Sequence, residues 1–270
     1  MRTFYLLGAH DEEMKEIRDL LFRLGAEYAV ALKDGHRVRR GEAYEADSAT
    51  RPIPEDARLV TVECGAKGLE VDLEIDHHFP GDPGYDAPPE KFWEGSSLGQ
   101  IVADVMANLP EKWDEANLSE GELLRLKMVA AADHCLGAAY AGKCPGIVPM
   151  KLRMERAKAV VKRHGGTIRR VFSTQERTGR HLLECPRVNL GGDIVAIDAR
   201  ALRNAPFLNE AACLFAGGPV LARRSNKVVI LNADPRSVIA FKLWATAEGA
   251  SDTYGSPTRG FGGATFPTLP

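Results

Sequence analysis

A short strand-like run that ends in an acid and two histidines constrains this chain more than any other stretch. From Val71 to Ile75, apolar and polar residues alternate, which predicts a half-buried strand. Asp76, His77 and His78 follow directly, and a loop rich in proline and glycine comes next. Open α/β sheets hold ligands at the carboxyl ends of strands, and both residue types bind metals. The stretch predicts a metal-binding loop; the alternative is two histidines adjacent by chance on a surface loop.

Strand-like and helix-like segments alternate in the first half of the chain. Residues 3–8, 27–32 and 58–64 predict strands, and residues 12–24 predict a helix with apolar side chains at helical spacing. Residues 34–57 are rich in charge, glycine and proline, and predict an excursion from the sheet. We therefore predict an α/β fold with a mainly parallel sheet flanked by helices.

Two capped helices follow the histidine loop. Ser96 precedes an apolar periodic run that Pro110 ends, and Ser119 with Glu122 has the spacing of a capping box. The second helix carries Asp133 and His134 on an alanine-rich segment, where a buried ionisable group needs a partner. Asp133 could be a metal ligand, a cap or one half of an ion pair. His134 could be a ligand or a hydrogen-bonded core histidine.

The second half of the chain predicts a separate, smaller domain. A basic helical linker at residues 150–166 separates a first domain, residues 1–149, from a mixed α/β domain, residues 167–270, that would lie across a cleft. Residues 167–172 and 193–197 predict strands, residues 219–222 and 228–231 a hairpin, and residues 237–247 a helix. Near the end, repeated glycines beside Arg259 could bind an anion or could form a flexible tail.

Composition restricts the class of protein and its surroundings. The chain of 270 residues has a net charge of -2, so no overall field attracts it to nucleic acid or a membrane. Its 5 cysteines are dispersed and resemble reduced thiols, and no leader or membrane span is visible. We predict a cytoplasmic protein without a membrane partner and without a long basic groove for nucleic acid. The oligomeric state stays open, and an oligomer is compatible with the sequence.

Taken in order, these motifs resemble the DHH phosphoesterase superfamily over most of the chain. The resemblance depends on residues 75–78 (IDHH), on the small-residue helix start at residues 95–102 (GSSLGQIV) and on residues 130–133 (AAAD). Residues 260–264 (GFGGA) are similar to the glycine motif of the C-terminal substrate-binding domain found in that superfamily. The resemblance implies a metal-dependent phosphoesterase.

The resemblance also implies roles for particular residues. Asp76, His77 and His78 would be catalytic, and a divalent metal, Mn²⁺ as one or two ions, would be the cofactor. Its ligands would be His10, Asp11, Glu63, His77 and Asp133, with His134 as an additional ligand. The residues that hold the substrate would be His78, Arg259, Gly260, Gly262 and Gly263.

The first motif departs from the family pattern. The family places two aspartates after its first histidine, whereas Met14 and Glu16 stand at those positions here, and Glu63 replaces a metal-bridging aspartate. Two hypotheses follow. The protein hydrolyses a phosphate ester of a nucleotide, a cyclic nucleotide or a short oligonucleotide through a metal-activated water. Alternatively, it is a degenerate relative that binds a nucleotide or a protein without hydrolysis.

Overall fold

The computed structural model describes residues 2–202 and 205–268, and the chain divides into two compact units. The first unit runs up to Ala87 and continues with Lys91–His134; the second contains Pro88–Glu90 and the chain from Cys135 onward. The division falls after His134, before the predicted boundary at residue 149, so residues 135–149 and the basic helix both belong to the second unit. The second unit is comparable in length to the first rather than smaller.

The first unit contains a sheet and the helices that follow it. Its strands are β1 (Thr3–Leu7), β2 (Glu27–Lys33), β3 (His36–Arg37), β4 (Ser48–Ala49), β5 (Arg58–Val62) and β6 (Leu73–Ile75). Its helices are α1 (Glu12–Arg23), α2 (Phe92–Gly95), α3 (Ser97–Asn108), α4 (Pro110–Ala116) and the first part of α5 (Glu120–Tyr140), which is kinked at Cys135. The predicted strand and helix segments of this half are confirmed within a few residues.

The first sheet is mainly parallel, as the sequence predicts. Its order is β3-β2-β1-β5-β6, with β2, β1, β5 and β6 parallel, and with the short β3 and β4 antiparallel to β2. The chain moves from β1 to one side for β2 and to the other side for β5. The carboxyl ends of β1 and β5 therefore flank a topological switch point, where α/β sheets bind ligands.

Local sequence explains where the helices of the first unit begin. The Asp11 carboxylate accepts a hydrogen bond from the Met14 amide and caps α1. Ser96 caps α3 in the same way through the Gly99 amide. Ser119 and Glu122 form the predicted capping box at the start of α5. The first two caps fix the starts of α1 and α3 close to the carboxyl edge of the sheet.

Buried side chains hold α1 and α3 against the sheet and against each other. Ile17 of α1 and Ile101 of α3 are fully buried. Tyr5 of β1 is also buried, and its hydroxyl donates to Asp104 of α3 at 2.7 Å. Arg58 of β5 donates to the same carboxylate at 2.8 Å, so this buried acid is both paired and hydrogen-bonded.

The second unit is a mixed α/β arrangement. Its helices are the rest of α5, α6 (Pro149–His164), α7 (Ile168–Glu184), α8 (Leu208–Phe215) and α9 (Pro235–Ala247). Its strands are β7 (Arg187–Gly191), β8 (Ile194–Asp198), β9 (Val220–Arg224), β10 (Lys227–Leu231), β11 (Asp252–Tyr254) and β12 (Gly262–Thr265). The sheet order is β11-β12-β10-β9-β8-β7, with only the described β8 and β9 pair parallel. The α/β fold class is confirmed.

Two predictions for the second half differ from the structure. Residues 167–172 are not a strand: Thr167 accepts from the Arg170 amide and caps α7. The tail is not simply flexible, because β11 and β12 join the second sheet. None of the helices in residues 2–202 and 205–268 is long and apolar enough to cross a membrane.

Candidate metal centre

The carboxyl ends of three parallel strands lie level at one edge of the first sheet. Leu7 of β1 pairs with Val62 of β5, which pairs with Ile75 of β6. Glu63 and Asp76 are the next residues on β5 and β6, so they begin adjacent loops. Glu63 has a left-handed backbone with φ 51°, which is uncommon for a residue with a side chain and is concentrated at functional sites.

Four side chains from separate segments converge at this edge. Glu13 comes from α1, Glu63 follows β5, His77 follows β6 and Asp133 comes from α5, and one ligand atom of each lies within 4.8 Å of the others. His77 Nε2 lies 3.2 Å from Asp133 Oδ2, 3.7 Å from Glu63 Oε1 and 4.0 Å from Glu13 Oε2. We call these four residues the acid–histidine cluster. His78 forms a second, overlapping group with Glu63 and His77.

The two glutamates of the acid–histidine cluster are buried, and each has one oxygen without a hydrogen bond in the described part of the chain. Glu13 is fully buried; its Oε1 accepts from the Leu98 amide at the start of α3. Among the described residues, neither Glu13 Oε2 nor Glu63 Oε1 accepts a hydrogen bond. Burial and the nearby charge of Asp133 raise the pKa of Glu13 well above its usual value. Burial is also the main cause that raises the pKa of Glu63 to about 8.

The acid–histidine cluster fits a single divalent cation. Ligand atoms about 2.1 Å from one ion are separated by roughly 3 Å at neighbouring positions and about 4 Å at opposite ones. The 3.2–4.0 Å separations around His77 Nε2 match this range. Three carboxylates with one imidazole form a donor set for a divalent metal ion. The buried oxygens that lack hydrogen bonds are the atoms that a cation would satisfy.

Asp76 orients His78 rather than entering the acid–histidine cluster. Asp76 Oδ1 accepts from the backbone amides of His77 and His78, at 2.6 and 3.0 Å, and from His78 Nδ1 at 2.8 Å. Tyr44 donates its hydroxyl to the other oxygen, Oδ2, at 2.8 Å. Burial acts to lower the pKa of His78, but the Asp76 hydrogen bond and the Glu63 charge raise it to about 9. The ring of His78 is therefore fixed through Nδ1.

His134 packs against His77 on the side away from the carboxylates. His134 Nε2 donates to the carbonyl oxygen of Ala87 at 2.9 Å, and its Nδ1 lies 3.4 Å from His77 Nδ1. In a neutral His134 ring the proton is then on Nε2, so Nδ1 accepts from His77. This arrangement directs the lone pair of His77 Nε2 towards the carboxylates. His134 thus supports the geometry of His77, and it is in neither of the metal-competent groups of the described residues.

Three glycines allow the close packing around these residues. A Cβ at Gly8 would lie 2.2 Å from the carbonyl oxygen of Glu63. A Cβ at Gly84 would lie 1.8 Å from the Gly95 carbonyl oxygen and 2.8 Å from His77 Cβ. A Cβ at Gly95 would lie 2.8 Å from His134 Cε1. Side chains at these positions would displace the loop that carries the histidines.

Two residues predicted as ligands lie outside the acid–histidine cluster. The His10 side chain is exposed, at the turn between β1 and α1. Asp11 uses Oδ1 to cap α1 and Oδ2 to bind Arg40 at 3.0 Å. The structure brings Glu63, His77 and Asp133 together, but it does not bring His10 and Asp11 into the same group.

The positions where the family pattern has aspartates serve other purposes. Met14 is a buried core residue. Glu16 accepts from Arg125 at 2.7 Å and pairs with Lys15 at 3.4 Å, which lowers its pKa against the opposing effect of burial. These contacts leave the described residues without a second set of ligands on α1.

Of the five predicted substrate-binding residues, His78 lies in the first unit and the other four lie in the second. Arg259 is buried and its guanidinium carbon lies 4.9 Å from the centre of the Phe261 ring. Gly262 and Gly263 are in β12, and a Cβ on Gly263 would lie 2.2 Å from the end of the Tyr254 side chain, which packs against this glycine. Gly260 has φ 73° in the preceding turn. A substrate role for Arg259, Gly260, Gly262 and Gly263 stays a prediction.

Sequence reasoning did not identify Glu13 and Tyr44 as site residues. Glu13 had a detectable signal, because it stands four residues before Ile17 on the buried stripe of α1. An acid on an apolar stripe needs a compensating partner. Tyr44 had no such signal, since it lies in the irregular excursion between β3 and β4.

The chain is similar in structure to solved proteins, but not to a family model or a curated protein. No protein-family model matches the chain, and no curated protein matches it. Among solved structures, the chain is similar to PggH, a pGpG-specific phosphodiesterase from Vibrio cholerae, with 12% sequence identity and a TM-score of 0.36. The match covers 98% of this chain and 93% of that one. A similarity at this identity and TM-score assigns no function to the chain.

Glu63→Gln should stabilise the metal-free protein. The substitution keeps the shape of the side chain and removes an ionisable group. Because folding raises the pKa of Glu63, this group destabilises the folded protein above its unfolded-state pKa, and the destabilisation grows as pH rises. Glutamine does not ionise and removes this destabilisation. In chelator, we expect a gain of roughly 1–3 kcal/mol in the free energy of unfolding near pH 8 that shrinks towards pH 4. Urea unfolding across this pH range measures it.

The matched control is Glu74→Gln, on the exposed face of β6. We expect a change within about 0.5 kcal/mol for this variant. A Glu63→Gln protein that is less stable than the wild type at pH 8 without metal would contradict the electrostatic description of the cluster.

Proposed function

We propose that the protein is a divalent-metal-dependent phosphoesterase, with Mn²⁺ as the preferred ion. Its substrate is a phosphate ester of a nucleotide, a cyclic nucleotide or a short oligonucleotide. Glu13, Glu63, His77 and Asp133 hold one ion. The resemblance of the sequence motifs to the DHH phosphoesterase superfamily supports the reaction class.

The observation that carries the proposal is the pair of buried glutamate oxygens in the acid–histidine cluster that accept no hydrogen bond from the described residues. Buried carboxylates repel one another and lose hydration, and a protein retains such an arrangement at a cost in stability. Within residues 2–202 and 205–268, Glu13 Oε2 and Glu63 Oε1 are buried without a hydrogen-bond donor. A cation removes both costs, which makes metal binding the best physical explanation for these residues.

The protein's own groups provide orientation and proton transfer. When bound, a divalent ion supplies a Lewis acid for a phosphoryl oxygen and lowers the pKa of a water molecule. Asp76 fixes the His78 ring through Nδ1, so Nε2 is the ring nitrogen left to donate a proton to a phosphate oxygen or leaving group. Tyr44 holds the Asp76 carboxylate from the other side. His78 is less buried than His77, with a side chain 40% exposed, which suits a group that contacts substrate.

Hydrolysis assays with controlled metal content test the proposal. Purified protein is stripped with chelator, and bis-p-nitrophenyl phosphate and pGpG are supplied with and without Mn²⁺. We expect turnover only with the ion, and its loss on adding chelator. Tight nucleotide binding in chelator with no turnover under any metal condition would contradict the enzyme and favour the binding-only hypothesis.

His134→Ala should weaken metal binding without removing a ligand. Partners that orient a ligating histidine typically contribute 10- to 100-fold to metal affinity, and we expect a loss of about that size for Mn²⁺. Titration of the stripped protein with Mn²⁺ measures it, beside thermal unfolding to verify the fold.

The matched control for this prediction is His181→Ala, at an exposed position on α7. Its Mn²⁺ affinity should equal that of the wild type. A His134→Ala protein that is folded and binds Mn²⁺ as tightly as the wild type would show that His134 does not support His77.

A further inference from the structure

Two buried cysteines contact each other in the part of the chain that follows Asp133 and His134. Cys135 and Cys144 are each 2% exposed, and their Sγ atoms are 3.4 Å apart. Cys64, Cys185 and Cys213, the other cysteines of the chain, are also free thiols. The contact between the thiols of 135 and 144 lies within the second unit.

The end of α5 produces this contact through a specific chain reversal. The Lys143 amide donates to the carbonyl oxygen of Ala138, and the Gly142 amide donates to the carbonyl oxygen of Ala139. Gly142 has a left-handed backbone with φ 73°. These paired bonds and the left-handed glycine form a Schellman motif, which turns the chain back along the helix. Cys144 is thereby returned to the side of Cys135, where α5 is kinked with φ -156° and ψ 64°.

The two thiols are equally buried but have different neighbours. Cys144 lies in a turn whose neighbours Lys143, Pro145 and Gly146 are exposed, whereas Cys135 follows the buried His134. The contact with the Cys135 thiol lowers the pKa of the Cys144 thiol, against the opposing effect of burial. A thiolate is the attacking species in thiol–disulfide exchange, so Cys144 is the better nucleophile of the pair.

We propose that Cys135 and Cys144 are a reversible disulfide site, oxidised by small disulfides such as oxidised glutathione. The Cys144 thiolate attacks one sulfur of glutathione disulfide, forming a mixed disulfide and releasing one glutathione thiolate. The Cys135 thiol then loses its proton, attacks Cys144 Sγ and releases the second glutathione. Two protein thiols are oxidised while one glutathione disulfide is reduced to two thiols. The bond ties the kink of α5 to the turn that follows it.

Oxidation of the full chain followed by mass analysis tests this site. After treatment with oxidised glutathione, alkylation in denaturant should find three thiols instead of the 5 cysteines of the sequence, with the mass of two hydrogen atoms lost. Peptide mapping should join the segments that contain Cys135 and Cys144, and dithiothreitol should restore all the thiols. Cys135→Ser should stop at one glutathionyl adduct on Cys144, and Cys144→Ser should form neither adduct nor bond between these positions.

The wild-type result decides the question even if a variant fails to fold. Five alkylatable thiols after treatment would overturn the proposal. So would a cross-link that involves Cys64, Cys185 or Cys213 in place of the proposed pair. A stable adduct on Cys135 in the Cys144→Ser protein would overturn the assigned order of attack.

Discussion

His77→Ala should abolish metal-dependent hydrolysis and stable Mn²⁺ binding. His77 Nε2 is the atom around which the three carboxylates of the acid–histidine cluster are arranged, with Asp133 nearest at 3.2 Å. Alanine removes the only nitrogen ligand of the cluster. The three carboxylates that remain repel one another and hold the ion with an incomplete set of ligands. We expect kcat/KM to fall by roughly 10³-fold or more, equivalent to several kcal/mol of transition-state stabilisation.

Two further variants show whether a loss of activity comes from loss of the metal ligand or from loss of the fold. His36→Ala, on the exposed strand β3, should keep wild-type activity and affinity. His77→Gln preserves more of the buried volume, so a folded His77→Gln protein without activity separates loss of the ligand from loss of the fold. Unchanged Mn²⁺-dependent turnover in folded His77→Ala would reject the site.

Gly84→Ala should be among the most destabilising single substitutions in the first unit. The added methyl group would lie 1.8 Å from the Gly95 carbonyl oxygen, which is backbone and has no rotamer to escape into. We expect a loss of about 3 kcal/mol or more in the free energy of unfolding. Because the same methyl group would lie 2.8 Å from His77 Cβ, Mn²⁺ affinity should fall as well.

Gly121→Ala is the matched control for Gly84→Ala. Gly121 is in the first turn of α5, and nothing lies within 4 Å of a Cβ built there. Alanine favours a helix over glycine, so stability should stay the same or rise by up to about 1 kcal/mol. Denaturant unfolding of both variants measures the contrast, and equal stabilities would contradict the packing described around His77.

The sequence predicted the part of the site that depends on local chain order. Strand ends are visible as apolar runs that stop at polar residues, so Glu63 and His77 could be placed at one edge of a parallel sheet. Asp133 was detectable as an acid on an apolar helix. The structure brings these three residues together.

The remaining part of the site depends on contacts that no local pattern records. Glu13 enters the acid–histidine cluster because α1 packs next to α3, where the Leu98 amide binds one of its oxygens. His10 is not part of the cluster because the turn before α1 exposes its side chain. Neither outcome follows from spacing, since both residues lie near the same strand end in sequence.

The error at residues 167–172 has a different cause. Ile168, Val171 and Phe172 favour a strand when six residues are considered alone. Over the full α7, the buried residues Val171, Gln175, Thr178 and Leu182 recur at helical spacing. Six residues contain too few helical repeats to distinguish a helix from a strand. Thr167 is a helix cap rather than the start of a strand.

Metal stoichiometry is the most direct test of the central claim, that the acid–histidine cluster holds one divalent ion. Stripped protein is equilibrated with Mn²⁺, separated from free ion and measured for bound metal and protein. We predict one equivalent in the wild type and none in a Glu13→Gln, Glu63→Gln double variant that remains folded. No bound ion in the wild type, or one equivalent retained in the double variant, would contradict the account.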